Sequence, residues 1–328
     1  MSAQHVLLDI HLTEGDADRA LRADAAAGLT AVPKSLPPKW FYDARGSALF
    51  EEITELPEYY PTRTEAALLT RSVDEIAAAS GAETLVELGS GASRKTRVLL
   101  EAMHRSGAAE RPRYVPFDVS EDAIVGAAEA LTGDYAWLDV HGIVGDFDHH
   151  LTDVPRSGQR LVAFLGSTIG NLDPDEQVAL LTQVRAMLED GDGFVLGVDL
   201  VKDATTLVRA YDDGEGVTAA FNRNVLHNVN ATLGADFEPD DFDHVARWND
   251  AESRIEMWLR ARRDMQVRVK DLDLDVELGE GEEVHTEISS KFTEPTITDR
   301  LATAGLRVVR FDTDPRGWFG VVTAVPAG

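Results

Sequence analysis

Short runs of β-branched and apolar residues alternate with amphipathic stretches of helical length through the middle of the chain. This alternation is typical of βαβ units, in which buried parallel strands are joined by crossover helices. The predicted strands span residues 84–88, 113–118, 140–144, 161–165 and 194–199. The predicted helices between them span residues 93–105, 120–131 and 174–189. The pattern therefore predicts a doubly wound α/β sheet.

The pattern changes after residue 200. One long helical stretch is predicted over 204–233, and then Ile255, Met257, Leu259 and Ala261 alternate on one face, which is typical of an antiparallel sheet. A helix at 297–304 and two strand-like runs at 306–311 and 318–324, joined by an Asp-Pro-Arg-Gly turn, predict a hairpin that completes the first sheet.

Two domains account for this change of pattern. Residues 64–200 plus 292–328 are predicted to form a nucleotide-type domain, and residues 15–63 plus 201–291 a second, α+β domain that binds the substrate. The segment up to Arg63 is expected to pack with the insertion. One domain with a large insertion fits the chain length equally well.

Composition narrows the classes of function. The 328 residues include 58 Asp and Glu against 31 Lys and Arg, and a net charge of −27 disfavours nucleic acid and anionic membranes as partners. Disulfides and thiolate metal sites are excluded because there is no cysteine. Without an apolar span or a leader-like start, we expect a cytoplasmic protein, and a monomer because no exposed apolar stripe is evident.

The most informative segment is the strand that runs into Gly89-Ser-Gly91 and then into a predicted helix. Glycines at such a turn let the backbone approach a ligand, although an ordinary strand-to-helix turn explains this pair equally well. A dinucleotide fold would place a third glycine at position 94, where this chain has Arg94. The sequence therefore argues against NAD and FAD.

Acidic residues near successive strand ends resemble those of class I S-adenosylmethionine methyltransferases. Glu87 precedes the glycine turn, Asp118 ends the next strand, and Asp146-Phe147 follows the third strand. The resemblance implies that Asp118 binds the ribose hydroxyls, that Asp146 accepts from the adenine amine and that Phe147 packs on the ring. Lys95 is a candidate partner of the methionyl carboxylate, although a lysine at a helix start is more often solvated.

A more specific resemblance extends from about residue 15 to the end of the chain. Residues 33–43 (PKSLPPKWFYD), 56–65 (LPEYYPTRTE), 86–91 (VELGSG) and 164–171 (FLGSTIGN) closely resemble the histidine Nα-methyltransferase family of ergothioneine biosynthesis. The resemblance continues through 199–203 (DLVKD), 210–213 (AYDD), 217–225 (VTAAFNRNV), 254–259 (RIEMWL) and 286–289 (TEIS). Most of these segments are unrelated to the generic methyltransferase pattern.

The resemblance implies roles for residues that the pattern alone would assign to turns and packing. Asn171 and Tyr211 would hold the α-amino-acid end of histidine with Tyr59 beside them, and Asn171, Tyr59 and Tyr42 are the predicted catalytic residues. The other predicted substrate-binding residues are Phe50 and Gly166 around the methyl acceptor, Glu287 and Ser289 on the imidazole, and Met257 as a wall. A carboxylate and a hydroxyl together pair both ring nitrogens.

The resulting expectation is three methyl transfers from S-adenosylmethionine to the α-amino group of L-histidine, without a metal. Three alternatives stay open from the sequence. A nicotinamide-dependent oxidoreductase would have a third glycine where this chain has Arg94. A non-enzymatic amino-acid-binding module would not need Gly89, Asp118 and Asp146. A related methyltransferase would act on another small amine or amino acid.

Overall fold

The computed structural model describes residues 6–12, 14–91, 95–147 and 149–328, which form two compact units. The first unit comprises Met1–Leu12, Arg63–Val201 and Phe292–Gly328, and the second comprises Thr13–Thr62 and Lys202–Lys291. Within the described ranges, every helix is too short or too polar to span a lipid bilayer.

The helices and strands are numbered in chain order. The strands are β1 (Val6–Ile10), β2 (Lys34–Ser35), β3 (Thr84–Leu88), β4 (Arg113–Asp118), β5 (Asp139–Val144), β6 (Arg160–Phe164), β7 (Gly193–Asp199), β8 (Phe242–Asn249), β9 (Arg254–Ala261), β10 (Met265–Val269), β11 (Leu274–Leu278), β12 (Glu283–Ser290), β13 (Leu306–Thr313) and β14 (Phe319–Pro326). The α-helices are α1 (Glu14–Thr30), α2 (Ala44–Glu55), α3 (Pro61–Ser80), α4 (Thr96–Ser106), α5 (Glu121–Asp134), α6 (Pro174–Met187), α7 (Ala204–Tyr211), α8 (Val217–Leu233) and α9 (Glu294–Thr303). Short 3-10 helices span Pro38–Phe41, Leu151–Asp153, Thr168–Asn171, Pro239–Asp241 and Lys270–Leu272.

An eight-stranded sheet forms the first unit, in the order β1-β5-β4-β3-β6-β7-β14-β13. The strands from β1 to β7 in this order are parallel, and β14 is antiparallel both to β7 and to β13. This arrangement confirms the predicted doubly wound sheet and its C-terminal hairpin. The pairing of β1 with β5 differs from the expectation that the whole N-terminal segment packs with the insertion.

Two apolar cores cover the two faces of this sheet. Successive strand residues point to opposite faces, so Leu85 and Leu161 lie in one core and Val86 and Val162 in the other. Helices α3, α4 and α5 contribute to the first core, and α6 and α9 to the second. The order of the strands reverses between β3 and β6, which makes the carboxyl ends of these strands the expected ligand crevice.

The second unit contains a four-stranded sheet in the order β2-β12-β9-β8, together with the β10–β11 hairpin. The alternation predicted for β9 is confirmed, since Ile255, Met257, Leu259 and Ala261 are all buried. Helix α8 packs on this sheet and on α2.

The prediction of one helix over 204–233 is wrong, because the chain breaks into α7 and α8. Gly216 has a φ of 78°, a left-handed conformation that favours glycine. The carboxylate of Asp213 accepts the backbone N–H groups of Val217 at 3.0 Å and Thr218 at 2.7 Å, so it caps the new helix. The break places Tyr211 at the end of α7 and Thr218 at the start of α8.

Candidate active site

The glycine turn of the first unit joins the buried strand β3 to α4. Gly89 and Gly91 have φ values of 64° and 46°, which a residue with a side chain rarely adopts. The N–H of Gly89 donates to the carbonyl of Phe117 at 2.9 Å, and that of Gly91 to the carboxylate of Asp118 at 3.0 Å. Arg94 lies outside the described residues. The turn is thus tied directly to the end of β4.

Asp118 is held by backbone donors from two sides. One carboxylate oxygen accepts the Gly91 N–H, and the other accepts the Ser120 N–H at 3.0 Å. Burial raises the pKa of Asp118, and these backbone N–H groups oppose that rise because they favour the carboxylate. A fixed carboxylate beside a glycine turn suits a vicinal diol, and its contact with ribose stays a prediction.

Phe147 lies between two other aromatic rings at the carboxyl ends of the strands. Its ring centroid is 5.7 Å from that of Phe117, nearly parallel, and 5.6 Å from that of Phe164, edge-on. A Cβ on Gly89 would lie 3.7 Å from the Phe147 ring, so the glycine turn and this apolar surface are adjacent. The structure therefore brings the two glycines, Asp118 and Phe147 together.

Asp146 has a local partner that the sequence does not predict. Its carboxylate accepts the backbone N–H of His149 at 2.8 Å and lies 2.9 Å from the His149 ring nitrogen Nδ1. Its proposed contact with the adenine amine would share the carboxylate with this exposed histidine.

Lys95 pairs with Glu65, a residue that sequence reasoning missed. The Glu65 side chain is fully buried, and its carboxylate accepts the N–H of Gly166 at 2.8 and 3.0 Å. A Cβ on Gly197 would lie 1.9 Å from a Glu65 oxygen, so the carboxylate rests against bare backbone of β7. Glu65 therefore fixes the position of Lys95 and of the loop after β6. The predicted contact of Lys95 with the methionyl carboxylate stays a prediction.

The loop after β6 carries Gly166 and Asn171. Gly166 has a φ of 79° and Ser167 one of 58°, and the Ser167 hydroxyl accepts the N–H of Asp199 at 2.9 Å. Asn171 ends the 3-10 helix Thr168–Asn171 and is half-buried. Both predicted substrate residues thus lie in the first unit, on a loop with a defined backbone.

An aromatic pocket lies within the second unit. Tyr42 and Phe50 are in edge contact at 5.7 Å between centroids, Phe50 and Tyr59 at 6.2 Å, and Tyr59 and Tyr211 at 6.3 Å. The complete lining is Tyr42, Phe50, Ile53, Tyr59, Ala210, Tyr211, Thr218, Phe221, Met257 and Glu287. The pocket gathers five of the predicted substrate-binding residues and Tyr42, a predicted catalytic residue, from segments far apart in the chain.

Glu287 provides a carboxylate to this aromatic pocket. It lies on β12 opposite Met257 of β9, and 9% of its surface is exposed. Burial raises the pKa of Glu287 to about 7, while the positive charge of Lys291 acts in the opposite direction. A ligand with an N–H donor would favour the carboxylate form.

Ser289 and Tyr211, predicted for the two ends of the substrate, are in contact, and Lys291 is a further member of this group that was not predicted. The hydroxyl oxygens of Tyr211 and Ser289 are 2.7 Å apart. The Lys291 ammonium donates to the Tyr211 oxygen at 2.9 Å and to the Ser289 oxygen at 2.7 Å. Side chains two residues apart on a strand lie on the same face. The spacing of Glu287, Ser289 and Lys291 could therefore have predicted that they lie together.

Comparison with known proteins gives the family. A family model described as "Histidine-specific methyltransferase, SAM-dependent" matches residues 21–326. This chain belongs to that family. It is an S-adenosylmethionine-dependent methyltransferase with a class I sheet, and the oxidoreductase and the non-enzymatic binding module are thereby excluded.

Three relatives of this methyltransferase are informative. "Histidine N-alpha-methyltransferase" of Mycolicibacterium smegmatis is 55% identical over 96% of this chain and 98% of the relative. The protein of the same name from Mycobacterium tuberculosis is 53% identical over 96% of this chain and 97% of the relative. "Ergothioneine biosynthesis protein 1" of Neurospora crassa is 35% identical over 62% of this chain but only 23% of the relative.

The residues of the methyltransferase's first unit fit S-adenosylmethionine. Asp118 is a carboxylate aligned by backbone N–H groups, which suits the ribose diol, and Phe147 with Phe117 and Phe164 provides an apolar wall for adenine. Gly89 leaves the ring of Phe147 uncovered by a side chain at that point. The methyl donor of this enzyme family therefore has matching chemistry in the chain.

Replacing Gly197 with alanine is expected to destabilise the methyltransferase by about 3 kcal/mol, because the Cβ displaces the buried Glu65 carboxylate from Lys95 and Gly166. The measurement is denaturant unfolding. The matched control is Gly126→Ala on α5, where no neighbouring atom lies within 4 Å of the new Cβ. That control should be neutral or slightly stabilising, since alanine favours helix.

A double-variant cycle checks the cause of this loss. In a Glu65→Ala background the nearest remaining neighbour of the new Cβ is the Phe319 ring, 3.3 Å away, so Gly197→Ala should add less than about 1 kcal/mol. An equal loss in both backgrounds would contradict the role given to Glu65.

Proposed function

We propose that this methyltransferase transfers three methyl groups in succession from S-adenosylmethionine to the α-amino nitrogen of L-histidine. The product is Nα,Nα,Nα-trimethylhistidine (hercynine), for ergothioneine biosynthesis. The observation that carries the proposal is the buried carboxylate of Glu287 inside an aromatic pocket of the second unit. The family and the names of the two mycobacterial relatives support the same substrate.

The chemistry of the pocket favours an imidazole. The rings of Tyr59, Tyr211 and Phe50 can pack against the flat imidazole ring of the substrate. Glu287 accepts a hydrogen bond from one N–H of that imidazole. The hydroxyl of Ser289 serves the other nitrogen. An aliphatic or phenyl side chain would leave the Glu287 carboxylate buried without a donor, which costs about 1–3 kcal/mol or more.

The methyl donor is assigned to the first unit. Asp118 binds the ribose hydroxyls, Phe147 packs on adenine, and Asp146 accepts from its amine, while Lys95 binds the methionyl carboxylate. When bound, S-adenosylmethionine supplies an electrophilic methyl group on its sulfonium. Gly89 and Gly91 let the backbone approach this ligand, because neither carries a side chain.

The amino-acid end of histidine is assigned to Asn171, Tyr211 and Tyr59, with Tyr42, Phe50 and Gly166 around the methyl acceptor. An amide accepts from an amine and donates to a carboxylate, which suits adjacent groups of a free amino acid. The amine must be neutral before each transfer, since its lone pair attacks the methyl group. Anchoring the ring on Glu287 lets the partly methylated amine rotate while the rest of the substrate stays fixed.

Substrate selection is tested with an equimolar mixture of the protein amino acids and S-adenosylmethionine carrying an isotope-labelled methyl group. Mass spectrometry of the products should find the label on histidine alone, and reactions without protein serve as the control. A label on a different amino acid would contradict the assignment of Glu287 and Ser289 to an imidazole, while leaving the donor site intact.

A further inference from the structure

Lys291 lies at the end of β12 with 4% of its surface exposed, in the second unit. Its backbone N–H donates to the carbonyl of Ser253 at 2.8 Å, which fixes the chain at this point. Its ammonium lies 4.7 Å from the centroid of the Tyr211 ring and donates to two hydroxyl oxygens, those of Tyr211 and Ser289. A buried ammonium is costly unless it is well paired, so these two hydroxyl partners hold Lys291 in place behind Tyr211, which lines the pocket.

The hydrogen-bond inventory of this group restricts what Ser289 can do. An ammonium only donates, so each hydroxyl oxygen uses a lone pair to accept from Lys291. Where Tyr211 also donates across the 2.7 Å contact, both lone pairs of Ser289 are occupied. Ser289 is then left with its own O–H, which makes it a donor and not an acceptor towards a ligand.

The charge of Lys291 also favours Ser289 as a hydrogen-bond donor. The positive charge of Lys291 polarises the Ser289 O–H and repels a second positive charge nearby. Glu287, two positions before Ser289 on β12, is a hydrogen-bond acceptor when its carboxylate is ionised. The two side chains thus offer a ligand one acceptor and one donor.

From this arrangement we infer that Lys291 is a specificity-determining positioning residue: it fixes Ser289 as a hydrogen-bond donor and so selects a neutral imidazole with one protonated and one unprotonated nitrogen. The inference rests on the proposed histidine substrate and adds which ring form is bound. Lys291 acts through Ser289 and Tyr211.

The test compares histidine with pyrrol-2-ylalanine and pyrrol-3-ylalanine. These analogues keep one ring N–H at either nitrogen position and carry C–H in place of the unprotonated nitrogen. The wild-type enzyme should have a KM for the better pyrrole analogue about 10-fold above that for histidine, because the Ser289 O–H has no acceptor. The diagnostic ratio is the KM of the analogue whose N–H faces Ser289 divided by the KM of the analogue whose N–H faces Glu287. In Lys291→Met this ratio should fall about 10-fold, since Ser289 regains the ability to accept a ring N–H.

A purely structural role of Lys291 would raise both KM values together and leave their ratio unchanged, which would overturn the inference. The matched control is Lys202→Met, because Lys202 also donates to a tyrosine hydroxyl, that of Tyr60 at 2.6 Å, with its ammonium 4.5 Å from the ring centroid. Tyr60 does not line the pocket, so this control should keep the wild-type ratio.

A second measurement needs no variant and covers the case in which Lys291→Met does not fold. Histidine labelled with 15N in the ring is bound to the wild-type enzyme with S-adenosylhomocysteine and observed by NMR. One protonated and one unprotonated ring nitrogen are expected, and a bound imidazolium would overturn the inference. Failure of the wild-type enzyme to bind or methylate histidine would instead contradict the proposed function.

Discussion

Replacing Glu287 with glutamine is expected to raise the KM for histidine between about 10-fold and 100-fold, because a hydrogen bond to a charged acceptor contributes about 1.5–3 kcal/mol. The kcat should change by less than about threefold, since the imidazole contact is the same in the ground state and in the transition state. Initial rates over a range of histidine concentrations at saturating S-adenosylmethionine measure both constants. The expected signature is therefore a loss of binding.

The same carboxylate predicts a pH dependence. Burial raises the pKa of Glu287 to about 7, so the acceptor form becomes populated as the pH rises through that value. The affinity of the wild-type enzyme for histidine should therefore increase between pH 6 and pH 8, by about 10-fold at most for one group. In Glu287→Gln the part of this rise that belongs to Glu287 disappears, and what remains is the titration of histidine itself.

Glu283→Gln is the matched control for Glu287→Gln. Glu283 lies on the same strand, but its carboxylate pairs with Arg247 and Arg260 and does not line the pocket. Its replacement should leave the KM for histidine unchanged. An unchanged KM in Glu287→Gln would contradict the place of the imidazole beside this carboxylate.

Replacing Asp118 with asparagine should weaken the binding of S-adenosylmethionine about 100-fold. Gly91 and Ser120 donate to different oxygens of Asp118, so asparagine places an NH2 group against one of these donors. It also loses the charge that favours the ribose hydroxyls. Calorimetry with S-adenosylhomocysteine measures the affinity without turnover. At saturating S-adenosylmethionine, the rate of methyl transfer by Asp118→Asn should return part of the way to the wild-type rate.

The control for Asp118→Asn is Asp122→Asn, an exposed position in the first turn of α5. It removes the same charge a few residues away and should change the affinity by less than about threefold. An Asp118→Asn enzyme that binds S-adenosylhomocysteine as tightly as the wild type would show that the ribose lies elsewhere.

The central sheet was predictable because its strands are buried on both faces. Such strands appear as short, nearly continuous apolar runs, and β3 and β4 have the predicted bounds. The edge strand β1 was not predicted, since its apolar run is short and interrupted by Asp9, and four of its five residues are exposed. Its pairing with β5 depends on tertiary structure that periodicity does not report.

The break between α7 and α8 was also missed, and the reason is tertiary. Acidic and glycine residues at 212–216 were included in the helical stretch, whereas Asp213 caps α8 and Gly216 adopts a left-handed conformation. The break brings Tyr211 and Thr218 to one pocket. Periodicity alone would have extended a single helix through this turn.

The prediction of the candidate site depended more on the family resemblance than on the sequence pattern. The glycine turn and the acidic strand ends could be recognised from spacing, whereas Tyr42, Phe50 and Glu287 looked like packing or strand residues until the family resemblance was considered. Glu65 had no sequence signal, because a glutamate near the start of a helix is usually solvated. Its burial against Gly197 and Gly166 is evident only from the structure.

The most direct test of the central claim is exhaustive reaction of purified enzyme with histidine and excess S-adenosylmethionine, followed by mass spectrometry and NMR of the product. The account predicts three methyl groups per histidine, all on the α-nitrogen, with both ring nitrogens unmodified and three equivalents of S-adenosylhomocysteine formed. A methyl group on the imidazole, or a reaction that stops after one transfer, would contradict it.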